Sequence, residues 1–113
     1  MIAPFVTWAV LAGCTIAGTP GGDALVGTPG NDVICGFAGN DTIDGLGGRD
    51  VIWGGPGNDL LAGGGGADVI YAGRGDDKIW SFDGTADKID GGPGNDLAFA
   101  DRADRVWFVE RFR

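Results

Sequence analysis

The run GTPGGDALV (18–26), GTPGNDVIC (27–35), GFAGNDTID (36–44), GLGGRDVIW (45–53), GGPGNDLLA (54–62), GGGGADVIY (63–71), AGRGDDKIW (72–80) decides the fold. Every unit has nine residues, with Asp at the sixth position and Leu or Ile at the eighth. One extra residue falls within 81–90, and the phase then resumes as GGPGNDLAF (91–99). A strict nine-residue period is the signature of a stacked coil in which each unit touches only its neighbours. Positions seven to nine, such as Val33-Ile34-Cys35, Val51-Ile52-Trp53 and Val69-Ile70-Tyr71, are β-branched or aromatic and suit a short strand. Strand alternation sends the middle residue one way and its flanks the other. Leu25, Ile34, Ile43, Ile52, Leu61, Ile70, Ile79 and Ile89 are therefore predicted to form aliphatic ladders inside the coil. Positions one to six are turn chemistry, with Gly for positive φ and close backbone approach.

Composition sharpens this. The chain has 113 residues, enough for one domain but too few for a deep core. Its 24 glycines would suggest disorder if scattered, but they recur at unit positions one, two and four and mark repeated turns. Acidic residues number 16 against 8 basic ones, and all but Glu110 are Asp. A short carboxylate in a Gly-rich turn suits local backbone bonding or metal ligation. The acidity argues against a nucleic-acid partner, since no basic stripe is present to neutralise phosphates. The chain has no His and a single Ser, Ser81, so neither a Ser–His nor a Cys–His constellation nor a His-containing zinc site can be built. A carboxylate-only hydrolase is the one enzyme class left. Because the repeat already accounts for the Asp residues, the chain is read as a non-enzyme.

The units resemble the haemolysin-type, or RTX, calcium-binding repeat, written G-G-x-G-x-D-x-U-x with U a large aliphatic residue. The resemblance covers residues 18–99 and rests on seven consecutive copies in register. It implies an all-β, right-handed parallel β-roll of about five turns, two units per turn, with calcium between successive loops on each side. Stacking equivalent loops about 4.8 Å apart brings like-charged Asp side chains into adjacent layers of a poorly solvated groove. A divalent, oxygen-seeking cation resolves that repulsion, and all-oxygen ligation without His or Cys points to Ca²⁺. A metal-free coil would accept Asn equally well at position six, which is never Asn.

With units two apart sharing a side, the ligand pairs are Asp23/Asp41, Asp41/Asp59, Asp59/Asp77 and Asp77/Asp96 on one side. Asp32/Asp50, Asp50/Asp68 and Asp68/Asp87 lie on the other, giving up to seven calcium ions. The extra residue puts Asp87 out of step, so Asp68/Asp87 is expected to be the weakest pair, followed by Asp77/Asp96. Asp44, Asp76, Asp83 and Asp90 sit off the motif position and read as solvated surface.

Residues 1–13, 14–99 and 100–113 are read as an apolar N-terminal segment, the roll and a C-terminal cap. The first is too short to span a membrane as a helix. It reads as an export remnant or as a retained segment that covers the coil. Leu11-Ala12-Gly13-Cys14 also matches a bacterial lipobox, while a Cys14–Cys35 disulfide suits an extracytoplasmic setting, and two buried free thiols remain a third possibility. The basic, apolar stretch 101–113 suits a terminal cap, with a C-terminal export signal as the alternative.

Outward positions split the roll into a mixed surface (Thr42, Asp44, Leu60, Ala62, Lys78, Trp80) and an apolar one (Val33, Val51, Val69, Cys35, Trp53, Tyr71). An apolar outer face calls for a cover: the N-terminal run, the rest of a longer protein, or a protein or membrane-surface partner. The expectation is a monomeric, calcium-dependent folding and stability module of a secreted or cell-surface protein, with an adhesive or docking module as the alternative.

Overall fold

Short β-branched segments alternating with Gly-rich turns become strands and connections in the computed structural model, which describes residues 13–81, 85–100, 105–107 and 111–112. One sheet takes β1 (Ile16–Ala17), β3 (Val33–Cys35), β5 (Val51–Trp53), β7 (Val69–Tyr71), β9 (Lys88–Asp90) and β11 (Arg105–Trp107). The other takes β2 (Ala24–Val26), β4 (Thr42–Asp44), β6 (Leu60–Ala62), β8 (Lys78–Ser81), β10 (Leu97–Ala100) and β12 (Arg111–Phe112). Successive strands alternate between the sheets, and all pairings are parallel, with Ile34 opposite Ile52 in one sheet and Ile43 opposite Leu61 in the other. Among the described residues there is no helix. The result is a parallel β-roll of about five turns, two units to the turn.

The core is the pair of ladders that alternation predicts. Ile34, Ile43, Ile52, Leu61, Ile70, Ile79 and Ile89 are buried, joined by Ala98, while Leu25, Ile16 and Val106 pack against them partly exposed. Each fully buried aliphatic side chain contributes about 1.5–3 kcal/mol. The C-terminal segment supplies two strands, β11 and β12, one to the end of each sheet.

The extra residue does not put Asp87 out of step. It is absorbed before Asp87: β8 runs on to Ser81, which pairs with Ala100 at the end of an equally lengthened β10. β9 then re-enters in register, Val69 opposite Lys88 and Ile70 opposite Ile89. A connection outside the strands can take up one residue at little cost, whereas a one-residue slip inside a strand would invert its buried face.

Both outer faces carry aromatic stacks. Trp53 and Tyr71 stack at 4.3 Å between ring centroids on one sheet, as their shared row implies. The sheet read as a mixed surface carries its own pair, Trp80 stacked on Phe99 at 5.7 Å, because β10 places Phe99 opposite Trp80. Both faces are therefore aromatic, and the expected asymmetry is weaker than composition implies. Cys14 and Cys35 form a disulfide with Cα atoms 5.9 Å apart, which leaves Cys14 no thiol for acylation. Closing a chain separation of 21 residues contributes about 3 kcal/mol in the chain-entropy account. Residues 1–12, one candidate cover for the apolar face, together with Asp83 and most side chains of the expected C-terminal cap, lie outside the described residues.

Candidate metal centres

Position six sits where the Gly-rich loop enters the strand, so its side chain points inward beside the aliphatic ladder. Asp41, Asp50, Asp59, Asp68, Asp77, Asp87 and Asp96 are all buried, as is Asp32 to a lesser degree, while Asp23 is half-buried. Their Oδ1 atoms form a chain between layers: Asp41 accepts the Asp23 N–H at 2.9 Å, Asp59 the Asp41 N–H at 2.8 Å and Asp77 the Asp59 N–H at 2.8 Å. On the other side Asp50 accepts from Asp32 and Asp68 from Asp50, both at 2.9 Å. The two pairs next to the extra residue keep this geometry, with Asp87 accepting from Asp68 at 2.7 Å and Asp96 from Asp77 at 2.9 Å.

Position five runs a second chain in the opposite sense. Asn31 Oδ1 accepts the Arg49 N–H, Asn40 that of Asn58, Asn58 that of Asp76, and Asp76 that of Asn95. Asp76 is thus part of the scaffold, and the Asn that precedes Asp32, Asp41, Asp59 and Asp96 is the signal of that scaffold in the sequence. Asp44 and Asp90 likewise close turns by accepting the N–H groups of Leu46 and Gly92, each at 3.0 Å. These three do more than face solvent.

The second carboxylate oxygen is what these hydrogen bonds leave over. Oδ2 of Asp41, Asp50, Asp59 and Asp77 is buried without a hydrogen-bond partner. Such an atom is costly unless something else satisfies it. These oxygens face the glycine at position one: a Cβ built on Gly36 would lie 2.6 Å from Asp41 Oδ2 and 2.8 Å from the Gly54 carbonyl oxygen. One on Gly45 would lie 2.6 Å from Asp50 Oδ2 and 2.7 Å from the Gly63 oxygen. Glycine therefore keeps open a space bordered by a carboxylate and a carbonyl from the next layer. Among the described residues no three acidic or thiol groups converge on one point, so carbonyls must supply the remaining ligands. A donor set of carboxylate and carbonyl oxygens fits a hard cation with a large, flexible shell, which is the chemistry of Ca²⁺.

Burial raises the proton affinity of these groups, opposed by the N–H received from the preceding layer and reinforced by the neighbouring Asp charge. Asp41 is pushed up to about 6, Asp59 to about 7 and Asp77 to about 8, and Asp50 is also raised. A carboxyl whose folded value lies above its unfolded one holds its proton preferentially in the fold. Without metal, the roll should be most stable below the unfolded value of 3.8 and lose that stability as pH rises through about 6, 7 and 8. Urea denaturation of the calcium-stripped chain across this range checks the sign, which is opposite to that of carboxylates paired with basic groups.

A profile of the RTX calcium-binding nonapeptide repeat matches the chain in four copies, at residues 17–52, 53–84, 63–98 and 83–104. No curated protein and no solved structure matches it. The buried Asp ladder, the open oxygens and the profile agree: this chain belongs to the RTX calcium-binding nonapeptide repeat family.

Proposed function

We propose that the roll is a calcium-dependent folding and stability module of an exported protein, with calcium held by Asp41, Asp50, Asp59, Asp68, Asp77, Asp87 and Asp96 together with loop carbonyls. The observation that carries this is the set of buried, unpartnered Oδ2 atoms on Asp41, Asp50, Asp59 and Asp77. A protein that folded without metal would have little reason to bury repeated carboxylates in register. Metal that binds only the folded form adds its binding energy to folding, which lets a chain cross a membrane unfolded and order itself in calcium-rich surroundings. The Cys14–Cys35 disulfide supports an oxidising, extracytoplasmic setting.

Asp59→Asn is the test. Asn keeps an oxygen to accept the Asp41 N–H but removes one buried charge. In saturating calcium the variant should lose about 3 kcal/mol, the linkage energy of roughly one site at 100-fold its Kd. After calcium removal the same variant should be more stable than the parent, because a desolvated charge beside Asp41 has gone. Equal destabilisation under both conditions would mean that Asp59 is only a structural hydrogen-bond acceptor.

The exposed Trp53–Tyr71 stack favours a second role for the same roll, as a docking surface for a protein or membrane partner with calcium as structural support.

A further inference from the structure

Two loops satisfy their Asp without metal, and both carry Thr at the second position. GTPGND (27–32) and GGPGND (54–59) differ only at the second position, Thr28 against Gly55. Gly55 and Gly57 take positive φ, 82° and 121°, whereas Thr28 and Gly30 do not. Thr28 instead turns its N–H onto Asp32 Oδ2 at 2.7 Å. Its hydroxyl donates to the same carboxylate, 3.0 Å from Oδ1 and 3.1 Å from Oδ2, and accepts the Gly30 N–H at 3.1 Å. Thr19 repeats the arrangement on Asp23, N–H to Oδ2 at 2.6 Å and hydroxyl to Oδ1 at 3.0 Å. Asp59 Oδ2, in the Gly-Gly loop, has no such partner.

Side-chain bulk at position two does not explain this. Phe37 and Leu46 occupy it in the next two units, yet both take φ 65°, and Asp41 and Asp50 keep an open Oδ2. Thr has what Phe and Leu lack, a hydroxyl able to bond backbone and carboxylate at once. Its β-branch also disfavours the left-handed conformation.

We infer that Thr19 and Thr28 take the place of calcium in the first two loops, so that the ion-binding ladder starts at Asp41 and Asp50. Asp23/Asp41 and Asp32/Asp50 are then not ion-binding pairs. This rests on the calcium reading of the later loops. The N–H and O–H donors take up the carboxylate oxygens that a cation would need, and their positive ends repel it. Together with the Cys14–Cys35 disulfide, they make the first turn a base that needs no metal, on which the calcium-dependent layers stack.

Native mass spectrometry of the full chain in calcium counts the ions. Thr19→Gly with Thr28→Gly restores the Gly-Gly loop and should bind two more ions than the parent, with circular dichroism checking that it stays folded. Asp23→Asn with Asp32→Asn should leave the parent count unchanged, whereas Asp41→Asn with Asp50→Asn should lower it. The Asn variants decide the matter if the Gly variant does not fold. A count lowered by Asp23→Asn with Asp32→Asn, or unchanged in a folded Gly variant, overturns the inference and leaves the calcium function standing. A chain that takes up no calcium overturns both.

Discussion

Stripped of calcium at about pH 8, where even Asp77 is about half ionised, the chain should lose its strand signal in far-ultraviolet circular dichroism and regain it on adding millimolar calcium. This is the largest effect expected of any single change. Ionised Asp41, Asp59 and Asp77 would then face one another through a stack of backbone with no cation between. The loops that hold them are Gly-rich, and glycine loses more conformational freedom on ordering than any other residue. Each site filled at 100-fold its Kd adds about 2.7 kcal/mol to the folded state. Even two or three such sites match the lower end of the roughly 5–15 kcal/mol that separates folded from unfolded domains. Removing the metal therefore removes energy on the scale of the whole stability. Strand signal that survives complete calcium removal at this pH would sink the folding switch. The low-pH behaviour tells the same story from the other side, since protons relieve the repulsion that calcium otherwise relieves.

Gly57→Ala should be among the most damaging additions of a single methyl group. Gly57 has φ 121°, outside what an L side chain adopts comfortably, and a Cβ there would overlap the Gly39 carbonyl oxygen in the layer below. Neither partner can retreat, because the parallel ladders hold the layers at strand spacing on both sides of the loop. Backbone strain of about 1–2 kcal/mol and overpacking of about 1–3 kcal/mol combine to a loss of roughly 3 kcal/mol or more. Gly65→Ala is the matched control. Its Cβ would meet nothing within 4 Å and its φ is not positive, so its stability should change by less than about 0.5 kcal/mol. Urea denaturation of both variants in saturating calcium measures the contrast. Equal effects would mean that the repeat's glycines matter only through chain entropy, not through the close approach of stacked carbonyls.

Gly57 and Gly65 are the same letter in the sequence, and only the period separates them. Position four recurs as Gly in every unit from 18 to 80, so its importance is legible; position three varies, so its freedom is legible too. The Asp ladder is equally readable, because a fixed period in a stacked coil maps onto a fixed line in space. So are Ile34, Ile52 and Ile70, whose burial follows from strand alternation alone. Asp87 reads as out of step because the sequence counts residues along the chain, while the fold counts them only within strands and lets a connection absorb the surplus. The structure also resolves Cys14 and Cys35 from three chemical possibilities into one bond, since that choice depends on how close two layers lie.

The amino-acid sequence by itself determined the period, the parallel roll, the buried aliphatic ladders and the line of carboxylates, because each follows from local periodicity repeated without interruption. Only the tertiary structure decided which carboxylate oxygens are left open. Whether Oδ2 meets a Thr N–H and hydroxyl, as at Asp23 and Asp32, or nothing, as at Asp41 and Asp59, depends on the φ adopted at position two. That angle is set by a side-chain hydrogen bond competing with left-handed backbone inside a stacked loop, an outcome that a nine-letter pattern does not contain.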